Sequence, residues 1–154
     1  MPSDVVLGSI YTAIKALLAA HAPLTALIST KPVGTGPAIY DDGSVLQAAT
    51  MPYLTVGAGT QVPWHTMGEA GSARYGWNCT LQIKAVGQGS EASGMAIMST
   101  VFTALREGTA LTLSGYATAW CDEIEMFPTL VSIQAGVTTR EWPAILRVYC
   151  SDTV

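Results

Sequence analysis

The clearest pattern in the chain is a strict alternation of side chains between residues 73 and 86. Because successive side chains of a strand point to opposite faces, this alternation predicts a long strand with one buried face and one polar face. Burial of its five larger apolar side chains would contribute about 7–15 kcal/mol before entropy is subtracted. A shift of one residue would exchange the two faces, so we expect a fixed register. The apolar parity carries Tyr75, Trp77, Cys79, Leu81, Ile83 and Ala85, and the other carries Arg74, Gly76, Asn78, Thr80, Gln82 and Lys84.

Two segments repeat with the helical period of 3.6 residues instead. The first predicted helix is capped by Ser3-Asp4 and runs to about Ala20, and the second is capped by Ser90 and runs to about Arg106. Each carries an apolar stripe that would face a core. The stripes are Val6, Ile10, Ile14, Leu17 and Leu18 in the first helix and Ile97, Met98, Val101, Phe102 and Leu105 in the second.

Short segments bounded by turn-forming residues predict the other strands. Pro143 places the last of them at a sheet edge or marks a bulge, because proline cannot donate to a ladder. The order of elements predicts one α+β domain over residues 1–154, in which a mainly antiparallel sheet carries two principal helices on one face. The strands cover residues 38–40, 52–57, 117–126, 129–134 and 140–150. Residues 111–113 precede a Ser-Gly turn, and residues 61–72 predict a long loop.

The composition is notable for its low charge. Hydrophobic residues make up 49% of the chain and charged residues only 12%, against a usual charged share of about 25%. This balance predicts apolar surface that closes against copies of the same chain, as in obligate oligomers. A chain that is simply rich in alanine and glycine is the alternative interpretation.

Charge and cysteine content argue against several classes of protein. The net charge is −4, and the seven Lys and Arg form no basic run, so tight nucleic-acid binding is not expected. Cys79, Cys121 and Cys150 are far apart, which predicts a reducing compartment rather than a disulfide scaffold. The first residues lack the basic segment of a signal peptide, and no apolar run reaches the roughly 18 residues of a membrane span.

Candidate catalytic groups are few. His21 and His65 have no carboxylate or cysteine at a useful spacing, so a solvated histidine is the preferred interpretation. On a strand, Glu123 and Glu125 share a face while Asp122 points away, which suits a divalent ion, an acid–base pair or a solvated face. No further ligands follow in the pattern of a metal loop. We therefore predict no catalytic, cofactor-binding or metal-binding residues.

Aromatic and arginine side chains predict where the chain contacts its partners, because they most often carry interface energy. A tryptophan and a methionine are unusual in a plain connecting loop and suit a contact surface, although the tryptophan can also fold back onto its own domain. The predicted contacts are Trp64, His65 and Met67 in the loop and Arg140, Glu141 and Trp142 in the predicted edge strand.

Several short motifs follow one another in a specific order. They are PLTALI at 23–28, IYD at 39–41, PYLTVG at 52–57, TLQIKAV at 80–86, TALRE at 103–107, LTLSG at 111–115 and AILRV at 144–148. In this order they resemble the tail-completion, or tail-terminator, proteins of long-tailed bacteriophages. The resemblance covers nearly the whole chain. It departs at residues 41–51 and at Trp142-Pro143, where relatives often carry Arg-His.

The resemblance implies a structural virion protein without enzymatic activity or cofactor. Its subunits form a ring, commonly a hexamer, that caps the head-proximal end of the tail tube and stops tube polymerisation. The implied partners are other copies of the chain, the tail tube protein and a head connector or head-closure protein. Genomic DNA passes through the channel without specific binding. The implied location is the tail or neck of the virion, after assembly in the host bacterial cytoplasm.

Two alternatives stay open at this point. The chain is another neck or minor tail protein, such as a head-closure ring, or it is a small ligand-binding or enzymatic α+β domain with Glu123, Glu125 and His65 in its site. The polar face of residues 74–84 lines a channel or meets water.

Overall fold

The computed structural model describes residues 6–45, 48–65, 74–106, 109–113 and 116–152. These residues form three helices and a sheet of seven strands. The predicted α+β class is confirmed, and the predicted strands are all present, with shifted ends. The elements are α1 (Leu7–Ala20), α2 (Ala22–Thr25), β1 (Ile39–Asp41), β2 (Tyr53–His65), β3 (Arg74–Gly87), α3 (Glu91–Ala104), β4 (Ala110–Leu111), β5 (Tyr116–Met126), β6 (Leu130–Gln134) and β7 (Val137–Asp152).

The sheet is built around the long pair formed by β3 and β7. Strand order is β1-β2-β3-β7-β5-β4, and β6 also pairs with β7. Only the β1–β2 pair is parallel within the described part of the chain, so the prediction of a mainly antiparallel sheet is confirmed. The β3–β7 register runs without a shift from Gly76 opposite Ser151 to Gly87 opposite Arg140.

The core lies between one face of this sheet and the helices. The apolar parity predicted for β3 is buried from Trp77 to Ala85, and β7 contributes its own buried parity from Trp142 to Cys150. The helix stripes also point into this layer, and both main helices pack on the same sheet face, as predicted. Their fully buried members are Ile10, Ile14 and Leu18 in α1 and Met98 and Val101 in α3, with Leu105 just beyond it.

The beginnings of the two main helices are capped differently. Ser90 caps α3 as predicted, because its hydroxyl oxygen accepts from the Ser93 N–H at 3.3 Å. In α1 the amide oxygen of Gln61 accepts from the Val6 and Leu7 N–H groups at 3.0 and 2.9 Å. The long-range bond from β2 thus satisfies two of the donors that a helix start leaves free. The predicted cap Ser3-Asp4 lies outside the described residues.

The prediction of a loop from residue 61 is wrong for residues 61–65. They belong to β2, where they pair with β3 from Gln61 opposite Cys79 to His65 opposite Arg74. A register shift after Ala58 hides this strand from a search for simple alternation. The rest of the predicted loop, residues 66–72, lies outside the described residues.

The predicted edge position of Pro143 is also wrong, because β7 lies between β3 and β5. Pro143 sits opposite Lys84 of β3, and its carbonyl accepts from the Phe127 N–H at 2.9 Å on the other side. On that side the β5 pairing ends at Ala144 and the β6 pairing begins at Glu141. The missing proline N–H therefore faces a break between two neighbouring strands, which explains why a central strand tolerates it.

Candidate assembly surfaces

A projecting hairpin is the most exposed apolar element of the described chain. Strand β6 pairs with residues 137–141 of β7, whereas β3 reaches only to Arg140 and β5 only to Ala144. Residues 130–139, here called the hairpin arm, therefore extend beyond the body of the sheet. Ala135 and Gly136 turn the arm with φ angles of 50° and 77°, the two positive values of a type I′ hairpin.

The hairpin arm exposes apolar side chains that continue the core face. Val131 and Ile133 lie opposite Arg140 and Thr138, which share the parity of buried Trp142. Past α3 no helix of the described chain covers this face, so the side chains of Val131 and Ile133 are 56% and 70% exposed. Leu130 and Val137, on the opposite face of the arm, are exposed as well. Residues 126–139 contain no charged side chain.

A cleft beside the N-terminal half of α3 is the second apolar surface. It has a volume of about 500 Å³, and its floor includes Trp142 and Ile97. Ala96 and Leu27 stand exposed on its rim. We call it the α3 cleft; no charged residue is among the residues that line it, which are Leu27, Met51, Pro52, Gly87, Gln88, Gly89, Ser93, Ala96, Ile97 and Trp142.

Polar contacts fix the hairpin arm to α3 at its root. The Arg140 guanidinium donates to the Gly89 carbonyl at 2.8 Å, and Glu141 forms an ion pair with Lys84 at 3.2 Å. The Glu91 carboxylate accepts from the Trp142 indole at 3.1 Å and from the Thr129 hydroxyl at 2.5 Å. The root is therefore held in place, and the arm leaves the sheet in a defined direction.

Trp142 itself is a core residue of the subunit. Its ring packs on Gly94 of α3, and a Cβ built at Gly94 would lie 2.0 Å from the ring. Only 1% of Trp142 is exposed, so its side chain contributes to the floor of the α3 cleft and not to an outer surface. The apolar spacing of α3 gave no sign of this contact. The glycine inside the predicted helix is the sequence signal that was available for it.

The two groups of predicted contact residues lie at opposite ends of the sheet. Trp64 and His65 pair with the start of β3 at Gly76 and Arg74, whereas Arg140 lies opposite Gly87 at its end. Eleven residues of extended strand separate Gly76 from Gly87, or about 36 Å. Met67 lies outside the described residues. The contact role of all six residues remains a prediction.

Charged side chains on the outer face of the sheet are partly paired with one another. Glu123 and Glu125 share this face, as predicted, because they pair with Arg147 and Ile145 of β7. Arg147 and Glu123 form an ion pair at 3.0 Å. The Arg147–Glu123 and Lys84–Glu141 ion pairs leave little positive charge on this face that is free to bind phosphate.

The residues considered for bond chemistry lie apart in the described part of the chain. Strands β3 and β7 stand between His65 on β2 and Glu123 and Glu125 on β5, so these three candidates are not brought together. No group of three or more His, Cys, Asp or Glu in the described ranges is arranged to hold a metal ion. Burial raises the pKa of the Cys79 and Cys121 thiols to about 11, which leaves them protonated and unreactive.

A carboxylate on β1 ties α1 to the edge of the sheet. Asp41 accepts hydrogen bonds from the Lys15 ammonium, at 2.5 Å, and from the Tyr11 hydroxyl. The bonds from Lys15 and Tyr11 lower the pKa of Asp41. Burial, followed by the bond to Asp41, raises the pKa of Tyr11. Sequence reasoning missed this cluster because its members are 26 and 30 residues from Asp41.

None of the helices in the described part of the chain is both long and apolar enough to cross a membrane. Comparison with known proteins gives one family and one shared fold. The profile of the family described as "Tail completion protein gp17" matches residues 12–124, which is 113 of 154 residues. No curated protein matches the chain.

Among the solved structures that match, two illustrate the shared fold over nearly the whole chain. A chain from the virion of a native gene transfer agent particle aligns with a TM-score of 0.63 and 21% identity, over 97% of this chain and 99% of that one. The gp17 protein of bacteriophage SPP1 aligns with a TM-score of 0.52 and 19% identity, over 96% of this chain and 91% of that one. At these identities the likeness concerns the fold. The family match shows that the chain belongs to the tail completion protein gp17 family, with a structural role in a phage-type tail.

Proposed function

We propose that copies of this chain form a closed ring, with six subunits as the expected number, that caps the head-proximal end of the tail tube. The ring stops tube polymerisation and offers its other side to the head connector or head-closure protein. The match to the tail completion family over residues 12–124 carries this proposal. The protein performs no bond chemistry in this role, so it needs no cofactor.

The surfaces of the subunit support assembly into a ring. The hairpin arm and the α3 cleft leave apolar surface open in a single chain. Contacts of one surface with a different surface on the next copy generate a ring when the rotation closes. The predicted contacts belong to the same proposal. Trp64 and His65 would act at one end of the sheet and Arg140 and Glu141 at the other, with Trp142 under the cleft. Met67 belongs to the same set of proposed contacts.

The charge distribution supports passage of DNA through the ring without specific binding. Only seven Lys and Arg occur in the chain, and Lys84 and Arg147 are paired with carboxylates. A channel lined by such a surface would not hold phosphates tightly, because affinity for DNA grows with the number of phosphates neutralised. The mature location in this proposal is the neck of the virion, after assembly in the host cytoplasm.

Deleting the gene and imaging the particles tests the proposal. We expect tails of irregular, excessive length that are not joined to heads, and restoration of normal length when the wild-type chain is supplied in trans. Tails of normal length that fail to join heads would instead indicate a head-closure ring and would overturn the capping role. Joined, infectious particles would overturn a neck role altogether.

A further inference from the structure

We propose that the hairpin arm of one subunit seats in the α3 cleft of the next copy of the chain, through the apolar side chains of Val131 and Ile133. This contact rests on the proposed function, since it specifies how the ring closes. The occupant of the cleft is thus a named segment of a second copy, residues 130–139.

The two surfaces match in chemistry. The arm presents Val131 and Ile133 at 56% and 70% exposure in a segment without charge. The cleft has a volume of about 500 Å³ and no charged residue in its lining. Bringing them together removes apolar surface from water on both sides and leaves no charge unpaired. A charged partner segment would gain nothing from such a cleft.

The arm of a subunit does not reach its own cleft. Its root is fixed beside the cleft by the Arg140–Gly89 hydrogen bond. From Trp142 on the cleft floor, the strand runs six residues outward to Gly136 at the tip, or about 20 Å. A paired hairpin keeps its direction, so the exposed tip points away from the body that carries it. The cleft that the tip can meet therefore belongs to a second copy of the chain.

One arm and one cleft per chain give a repeating head-to-tail contact. Each subunit places its arm in one neighbour and receives the arm of another in its cleft. Every arm and every cleft is therefore occupied only when the last copy contacts the first and the ring closes. This explains why the chain keeps a long apolar hairpin that contributes little to its own core. It also makes the contact separable by mutation into a donor half and an acceptor half.

Two substitutions disable the halves separately. Ile133→Asp places a charge on the exposed face of the arm, and Ala96→Glu places one on the rim of the cleft. The matched controls add the same charges nearby: Ser132→Asp on the other face of the arm, and Ala92→Glu one turn earlier in α3, outside the cleft lining. All four positions are exposed, so thermal unfolding of the subunit should change little.

Light scattering after gel filtration gives the readout, for each variant alone and for mixtures. We expect Ile133→Asp and Ala96→Glu each to be monomeric, with self-association weakened roughly a hundredfold or more, as loss of central contacts does. An equimolar mixture of the two should give heterodimers and nothing larger, because only one intact arm and one intact cleft meet. The controls should form the wild-type ring.

The possible failures are distinguishable. Rings formed by Ile133→Asp or Ala96→Glu alone would overturn the arm–cleft contact while leaving the ring itself in place. Two monomeric variants that fail to pair when mixed would overturn it too, because arm and cleft would then not be partners. A wild-type chain that stays monomeric at all concentrations would contradict the proposed function before the arm is considered.

Discussion

Replacing Gly94 by alanine should destabilise the subunit, although alanine is the better helix former. Gly94 is the fourth residue of the 14-residue helix α3, and within a helix Gly→Ala alone would add about 0.5–1 kcal/mol of stability. The new Cβ, however, would lie 2.0–2.2 Å from three ring atoms of Trp142, whereas ordinary contacts are 3.4–4 Å long. Either α3 or the indole must therefore move by more than about 1 Å.

The expected cost follows from what that movement disrupts. Overpacking a filled core costs about 1–3 kcal/mol. A displaced indole also lengthens its 3.1 Å hydrogen bond to the Glu91 carboxylate, and a bond to a charged group contributes about 1.5–3 kcal/mol. After the gain in helix propensity is subtracted, we expect Gly94→Ala to lower the free energy of unfolding by about 1.5–5.5 kcal/mol. The α3 cleft should deform as well, because Trp142 forms part of its floor.

Urea unfolding, followed by far-UV circular dichroism, measures this difference. Gly8→Ala is the matched control, since Gly8 is a helical glycine in α1 with nothing within 4 Å of the added Cβ. It should leave stability unchanged or raise it by up to about 1 kcal/mol. A double-mutant cycle with Trp142→Phe should recover part of the Gly94→Ala loss, because the smaller ring leaves room. An unfolding free energy for Gly94→Ala equal to or above that of the wild type would refute the packing argument.

Three further predictions concern the cap, the acid limb and the predicted contact surface. Gln61→Leu removes the acceptor for the Val6 and Leu7 N–H groups, so the free energy of unfolding should fall by about 1–2 kcal/mol in urea titrations. The pKa of Asp41 is lower in the folded state than its usual value of 3.8. The stabilisation of the fold by Asp41 is therefore complete above pH 3.8 and is lost as the pH falls through the pKa of the folded state. Melting temperatures of Asp41→Asn should thus depend less on pH in that acidic range than those of the wild type, and equal slopes would count against the cluster. Trp64→Ala should weaken ring assembly by about 2 kcal/mol or more in sedimentation experiments while the monomer stays folded; loss of folding and assembly together would make Trp64 a core residue.

The sequence was sufficient for the elements whose patterns are strong. The alternation of β3 and the stripes of α1 and α3 are repeated over ten or more residues, and the structure buries the predicted faces. Such long repeats predict well because a whole face must be buried for the element to be stable. The class of the fold followed from their order along the chain.

Features that depend on pairing between distant segments were out of reach. Residues 61–65 became a strand because β3 supplies a long partner, across an irregular register after Ala58. Pro143 lies in a central strand because two neighbouring strands happen to end beside it. The apolar residues of β6 predicted a strand correctly. Their exposure, however, depends on how far α3 covers the sheet, and α3 begins at Glu91, beside the root of the arm. The part of the sheet face that α3 covers is set by the tertiary structure. It decides whether the apolar side chains of β6 are buried in the core or exposed as a contact surface.

The mass of the purified wild-type protein tests the central claim most directly. Native mass spectrometry, with negative-stain images of the same sample, should give one closed oligomer of fixed subunit number with a central hole. A subunit mass of 16.1 kDa at every concentration, with no ring in the images, would contradict the claim that these copies close apolar surface against one another.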